Sequence, residues 1–418
     1  MRIRTPLLPA VLAAVGCRST PTAEPAKDYG RPLPSGQLAL EKVTDPREIP
    51  DFSAGFGDRD ALLGAVGRSL GYYEKPSSRR FFPYLGVSHD RAVASLLAFR
   101  EELRAASSGT DLDRRLRERF EVYRSVGWDG SGTVYFTGYC EPVLNGSLER
   151  TGRFRYPLYR TPPDLVRTEE GVPLGRRTAS GDLVPYPTRG EIDGEGRLEG
   201  KGLELVWLED PFDAYIAHIQ GSARIRLPDG SERKVGYAGK TDRPYASVAD
   251  ALIREGKIAR RDLSLSAVRA HFRRNPEDIG RYLPVNASYV FFAEREGGPY
   301  GSIGVPVTAM CTLATDKVVY PRGALAFAET LLPRVGRSGR VRAEPWSGFV
   351  LDQDTGGAIR SAGRADLYLG TGETAEELAG HTHAEGKLHY LFVKPEEVPL
   401  LLRRRAATAG ASREAPGP

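Results

Sequence analysis

Cysteine is scarce in this chain. It occurs three times in 418 residues, at Cys17, Cys140 and Cys311, and never in a Cys-x-x-Cys pair, which excludes a thioredoxin-like redox motif. Histidine is also rare, and His381, His383 and His389 near the end lack the usual helical spacing of a zinc site. No metal and no cofactor is expected. A strong excess of either charge is missing: 59 basic against 54 acidic residues leave a formal charge of +5, spread along the chain. No basic stripe with interleaved aromatics marks a nucleic-acid surface. No internal apolar run is long enough for a transmembrane helix. The one Gly-x-Ser-x-Gly string, Gly67 to Gly71, falls inside a helical pattern rather than at a strand-to-helix turn, and no phosphate-binding loop occurs, so two common catalytic classes drop out.

Glycine (47) and proline (31) are plentiful, which favours short strands and turns over a helical bundle. The length allows two or three domains with full cores. Helical periodicity covers 58–73, 88–106 and 111–126, and a strand follows at 133–137. The middle reads as strands at 203–208, 214–219, 223–227 and 233–237, with Pro228-Asp229-Gly230 as a hairpin turn. Helices are expected at 245–256 and 263–272. Strands return at 289–293, 305–310, 324–328, 348–351, 367–369 and 388–393. The chain therefore reads as mainly β with N-terminal helices, an α+β class. From Arg403 the tail is patternless and is expected to be disordered.

The first residues form a targeting segment. Arg2 and Arg4 precede a short apolar run that closes on Ala14-Val15-Gly16-Cys17. A cysteine directly after small residues is similar to a bacterial lipobox, so Cys17 is the expected lipidation site and 1–17 the signal peptide. Ordinary cleavage to a soluble periplasmic protein is the alternative. Arg18 lacks the acidic character of an inner-membrane retention signal, so the outer membrane, facing the periplasm, is the expected location. Residues 18–45 suit a flexible tether. Cys140 and Cys311 would then remain, either paired in an oxidising compartment or as two buried thiols.

The most informative stretch runs from Val350 to Tyr368. Asp354 stands at the exit of an apolar run, Gly356 and Gly357 follow, and Asp366 opens a second apolar strand. Two carboxylates at strand ends around a glycine turn suit a cleft in which one carboxyl is held protonated. On local sequence alone, Asp354 as a turn cap and Asp366 as a solvated edge residue is the more ordinary account.

Other segments extend the pattern: Phe136-Thr-Gly-Tyr139 with Pro142, Tyr156-Pro-Leu-Tyr159-Arg160, Arg189-Gly-Glu191-Ile192, Gln220-Gly221-Ser222 and Tyr237-Ala-Gly-Lys240. With Asp354-x-Gly-Gly-Ala-Ile359 and Asp366, these in order resemble the membrane-bound lytic murein transglycosylase A (MltA) family. The resemblance implies a six-stranded double-psi β-barrel at 46–140 and 286–395, an inserted β-rich domain at 141–285, a groove between them, and a disordered tail at 396–418. It implies an exotransglycosylase acting on peptidoglycan glycan strands without a cofactor. The β-1,4 bond between N-acetylmuramic acid and N-acetylglucosamine would be cleaved by the sugar's own 6-hydroxyl, leaving 1,6-anhydro ends.

By motif position Asp366 is the expected acid/base, with Asp354 supporting it. Thr137, Gly138, Tyr139, Gly356, Gly357 and His383 are expected to contact substrate. Lys240 is expected to meet a peptide or lactyl carboxylate. The loop carrying Ser361-Ala362-Gly363 is one residue longer than the family pattern. Expected partners are the glycan strands, the membrane through a lipid, and a cell-wall remodelling complex. A two-carboxylate glycosidase on the same barrel and a non-catalytic peptidoglycan-binding lipoprotein remain open at this stage.

Overall fold

The structure, a computed structural model, describes residues 27–169, 171–336 and 341–414. Cys17 and the expected signal segment lie outside them. Strands β1 (Leu40–Lys42), β2 (Phe120–Ser125) and β3 (Val134–Glu141) come first. The middle carries β4 (Val143–Ser147), β5 (Tyr156–Tyr159), β6 (Leu165–Arg167), β7 (Pro173–Arg177), β8 (Leu183–Val184), β9 (Glu204–Leu208), β10 (Ser222–Arg226), β11 (Glu232–Lys240) and β12 (Val290–Glu294). The chain then returns with β13 (Thr312–Ala314), β14 (Leu325–Val335), β15 (Val341–Asp354), β16 (Arg364–Thr371) and β17 (His383–Val393).

The first sheet runs β1-β2-β17-β14-β15-β13-β16-β3, and a further β17–β3 pairing closes its last six strands into a barrel. Closure is possible because β17 changes partners along its length. His383–Gly386 pair with β3, while Lys387–Tyr390 pair with β14. The crossing point is Gly386, where a Cβ would lie 2.1 Å from the carbonyl oxygen of Glu329. Only glycine fits so close an approach. Along β14, Ala326 and Ala328 alternate with larger Leu325 and Phe327, all buried, so both faces of this strand are covered, Phe327 meeting Phe52 and Phe349 on its side. Helices Arg59–Glu74, His89–Ala105 and Gly109–Arg119 pack outside, capped by Asp58, Ser88 and Ser108. Leu62, Val66, Leu96 and Phe99 join Phe327 and Phe349 in one core.

The middle strands form a second, six-stranded sheet, β12-β11-β10-β4-β9-β5, and a small β6-β7-β8 sheet. Helix Pro211–Gln220 is part of this insert. Arg269 ties the two bodies together. It is ion-paired to Asp213 of the insert, and to Glu376 on the barrel helix Glu373–His381 at 2.8 Å.

Several expectations change. Residues 214–219 are helical, not a strand: Asp210 caps the helix, Pro211 starts it and Gly221 ends it in the left-handed conformation. A short buried apolar run carries no period that separates helix from strand, and the flanking signals decide. The helix expected at 111–126 stops at Arg119, and its second half is β2. Residues 305–310 make only a bridge from Tyr300 to Pro306, which lacks the donor a strand interior needs. Strand β12 pairs with β11, so the insert's sheet extends past the expected boundary at 286.

The expected tether, 18–45, is fastened over its described part. Leu40 is buried in β1, and the Tyr29 ring stacks on Tyr135 at 4.5 Å. The expected disordered tail is helical from Val398 to Glu414, with Leu401 buried and Arg405 paired to Glu74 at 2.7 Å. Alanine, leucine and arginine there are strong helix formers. Cys140 and Cys311 are free, buried thiols, pushed up to about 12 and about 11 by burial.

His389 and His218 are buried and held neutral. Burial, with Lys387 and Arg124 nearby, depresses His389 to about 4, and burial beside Arg189 pushes His218 well down. The unfolded chain takes up these protons near pH 6.5. Stability is therefore present above that pH and lost as pH falls toward 4, by roughly 3 kcal/mol for His389. Urea unfolding at pH 7 and pH 4.5 should show His389→Gln losing less stability on acidification than the parent. Parallel losses in the two proteins would refute this.

Candidate active site

Strand register sets the two carboxylates in one row. Ala314 of β13 is paired with Asp354 of β15 on one side and with Asp366 of β16 on the other. Asp366 is next to Thr137 of the parallel strand β3. The aspartates are thus two strand spacings apart, about 10 Å between backbones. Both line a cavity of about 960 Å³ between barrel and insert, together with Tyr139, Gly356, Gly357, Lys240 and Tyr245.

The two carboxyls have different surroundings. Asp354 is held on both oxygens. Oδ1 accepts from the backbone N–H groups of Ser302 and Thr355, each at 2.8 Å, and Oδ2 accepts from the Tyr139 hydroxyl at 2.9 Å. Burial raises its pKa, and these three donors act against the rise. Among the described residues, no backbone N–H donates to Asp366. Thr137 Oγ1 donates to its Oδ1, and Arg364 Nη2 stands 3.7 Å away. Burial raises the Asp366 carboxyl with only Arg364 opposing it. A carboxyl lacking strong donors favours its neutral form. Of the two raised carboxyls, Asp354 is therefore the one more strongly held in place and Asp366 the one with fewer donors opposing its protonation.

Arg364 has a second effect. Its Nη2 donates to Thr137 Oγ1 at 3.2 Å, and its Nη1 to the Ala358 carbonyl at 3.0 Å. With its lone pair engaged by Arg364, the Thr137 hydroxyl directs its own proton to Asp366 Oδ1. Oδ2 of Asp366 is then the oxygen left to carry a proton. Sequence reading missed Arg364, although a position two residues from Asp366 on a strand shares its face.

The long loop between the aspartates is pinned. Ser361 takes a left-handed conformation (φ 61°), and its N–H donates to Asp316 Oδ2 at 2.7 Å. Ile359 is buried, and the Gly363 carbonyl accepts from Tyr135 N–H at 2.8 Å. Beyond that kink Arg364 and Asp366 stand in register with β3. Gly357 fits the cavity wall because a Cβ there would meet no protein atom within 4 Å. The space in front of it belongs to the cavity.

Other expected contacts lie elsewhere. A Cβ on Gly138 would strike Leu369, Ala379 and Thr382, so its bareness serves packing of helix Glu373–His381. Thr137 and His383 do not line the cavity; Thr137 acts through Asp366, and His383 is exposed. His381 Nδ1 donates to the Glu377 carbonyl (2.9 Å), and His389 is buried near Glu329 at 3.8 Å. Behind the site, Asp352 is fully buried and paired with Lys317, a residue that also lines the cavity. Sequence reading missed this pair.

Comparison with known proteins matches this arrangement. The MltA-specific insert domain model matches residues 135–293, and the 3D domain model matches 311–392. The membrane-bound lytic murein transglycosylase A of Vibrio cholerae serotype O1 is 32% identical over 286 residues, covering 66% of this chain and 70% of the relative. The Escherichia coli K12 protein of the same name is 30% identical, covering 71% and 75%. A crystal structure of a membrane-bound lytic murein transglycosylase from Agrobacterium tumefaciens superposes with a TM-score of 0.71 at 27% identity, covering 86% of this chain and 99% of that one. The chain belongs to the membrane-bound lytic murein transglycosylase A family.

Proposed function

We propose that this protein is a lytic transglycosylase of peptidoglycan. It cleaves the β-1,4 bond between N-acetylmuramic acid and N-acetylglucosamine and leaves a 1,6-anhydro ring. The observation that carries the reading is the asymmetry of the carboxyls in one cleft. Asp366 faces the cavity without backbone donors, whereas Asp354 has both oxygens engaged. A two-carboxylate glycosidase needs its second carboxylate free to attack the sugar or activate water. Asp354 is committed to holding Tyr139, Ser302 and Thr355.

One carboxyl suffices when the nucleophile is the substrate's own 6-hydroxyl. That hydroxyl is already tethered beside the anomeric carbon, which removes much of the entropic barrier. Asp366 gives its proton to the leaving glycosidic oxygen. As the carboxylate it then takes the proton of the 6-hydroxyl while the new C1–O6 bond forms. Thr137 and Arg364 position Asp366, and Tyr139 with Asp354 forms the facing wall. Mass spectrometry of products from purified murein sacculi tests this. Anhydromuramyl ends support it, and reducing ends in their place would mean hydrolysis.

The acid must be protonated at the start, so kcat/KM falls as pH rises through the raised pKa of Asp366. Arg364 opposes that rise in pKa. Arg364→Gln should therefore shift the alkaline limb to higher pH and lower the maximum about tenfold through lost positioning of Thr137. A limb that stays in place would remove Arg364 from this role.

The relatives are named membrane-bound, and no helix among the described residues is long and apolar enough to cross a membrane. A lipid on Cys17, holding the enzyme on the outer membrane facing the periplasm, meets both facts and keeps the cleft within reach of the wall. Association with a cell-wall remodelling complex is compatible with that placement.

A further inference from the structure

The cavity carries charge that the acid–base chemistry does not use. Most cations on its wall are committed. Lys317 is paired with Asp352. Arg167 and Arg295 donate to the carbonyls of Ala238 and Tyr237, at 2.8 and 3.0 Å. Arg189 is bonded to the Ser288 carbonyl at 2.9 Å, and Arg322 lies over the Phe81 ring at 4.1 Å. Lys240 and Arg360 differ: among the described residues neither has a hydrogen-bond or ion-pair partner. The exposed Glu294 and Glu296 on the same wall form no ion pair with either.

The pair comes from opposite sides of the groove. Lys240 ends β11 of the insert and is half-buried, held in register against Val290 of β12. Arg360 stands on the barrel loop, between buried Ile359 and the pinned Ser361. Both backbones are therefore fixed, and both side chains reach the one cavity. Burial and the Arg360 charge together disfavour the protonated form of Lys240. Lys240 is half-buried and Arg360 exposed, so two like charges line one cleft, and a bound anion offsets their repulsion. A guanidinium fork beside an ammonium suits a carboxylate.

We propose that Lys240 and Arg360 together bind a carboxylate of the substrate, the group that distinguishes a muramic-acid strand or its stem peptide from a plain N-acetylglucosamine polymer. This rests on the glycan reading of the cleft and adds a recognition element to it. In a peptide-bearing strand the lactyl group is an amide, and the carboxylates lie along the peptide. In an amidase-trimmed strand the lactyl carboxylate itself is free. The same pair can meet either source, and the two substrates separate them.

The test measures binding in an Asp366→Asn background, so that the ligand survives. The ligands are peptide-bearing murein oligomers, amidase-trimmed oligomers and chitohexaose, which has no carboxylate. Lys240→Gln with Arg360→Gln is expected to weaken at least one carboxylate-bearing ligand by 10-fold or more relative to chitohexaose. Lys240→Arg alone, with Arg360 in place, should keep most of that preference. A loss confined to trimmed oligomers assigns the lactyl group, and one confined to peptide-bearing oligomers assigns the peptide. Equal loss on all three ligands, or no loss, overturns the subsite. If the Asp366→Asn parent bound none of the three, the glycan reading would fall and this inference with it.

Discussion

Asparagine at position 366 is expected to lower kcat for anhydromuramyl release by on the order of 10²–10⁴-fold, the range a positioned acid–base group supplies. Folding should hardly notice. Burial disfavours the charged Asp366, so a neutral amide of the same shape relieves a cost, and its oxygen still accepts from Thr137. Thermal unfolding followed by circular dichroism should give a midpoint at or slightly above that of the parent. The companion Asp354→Asn differs in kind. It keeps one acceptor oxygen for Ser302 and Thr355 but presents an amide to Tyr139, which loosens the facing wall. A loss of about tenfold is expected, since it disturbs orientation and charge without removing the proton donor. If Asp354→Asn were inactive while Asp366→Asn kept more than a tenth of parental activity, the two roles would have to be exchanged.

Much of this site was legible before any coordinates. Locally, Asp354, the glycine pair and Asp366 read as ordinary turn chemistry; the resemblance carried by the other segments singled them out, and all of them line the cavity. What pairing adds is long-range. That Ala314 stands between the two aspartates, and that β3 lies parallel to β16, follows from barrel closure through Gly386. No local pattern encodes such closure, because the partners are hundreds of residues apart. The same limit hid Arg360 as a partner for Lys240: each is an ordinary surface cation until the two bodies face each other. Helix Pro211–Gln220 was misread for the opposite reason. Its signals, Asp210, Pro211 and Gly221, were local and present, but the apolar run between them was weighed more heavily. Thr137 was expected to contact substrate, yet its hydroxyl donates to Asp366, a neighbour revealed only by the pairing of β3 with β16.

The largest stability effect should come from Lys317→Met. Asp352 is fully buried and accepts from Lys317, from Thr315 Oγ1 at 2.9 and 2.8 Å on its two oxygens, and from the Tyr390 hydroxyl at 2.7 Å. Removing the lysine leaves a carboxylate inside the barrel with hydroxyl donors alone, a change that typically costs about 3–5 kcal/mol. The carboxyl can escape part of this by taking up a proton. Burial already pushes Asp352 upward with Lys317 opposing, so loss of the lysine raises its folded pKa further above the unfolded value. A group raised in this way weakens the fold most above the folded pKa and least below the unfolded one. The deficit of Lys317→Met relative to the parent should therefore be largest near neutral pH and shrink as pH falls toward 4. Adding Asp352→Asn should recover most of it, since the amide needs no counter-charge and retains an acceptor for Thr315 and Tyr390. Urea titrations of the parent, the single and the double variant at pH 7 and pH 5 decide the matter. A deficit independent of pH and not rescued by asparagine would mean that Lys317 contributes through packing alone. Because Asp352 is two residues from Asp354 on β15, the same buried pair keeps that strand end, and the wall of the cleft, in place.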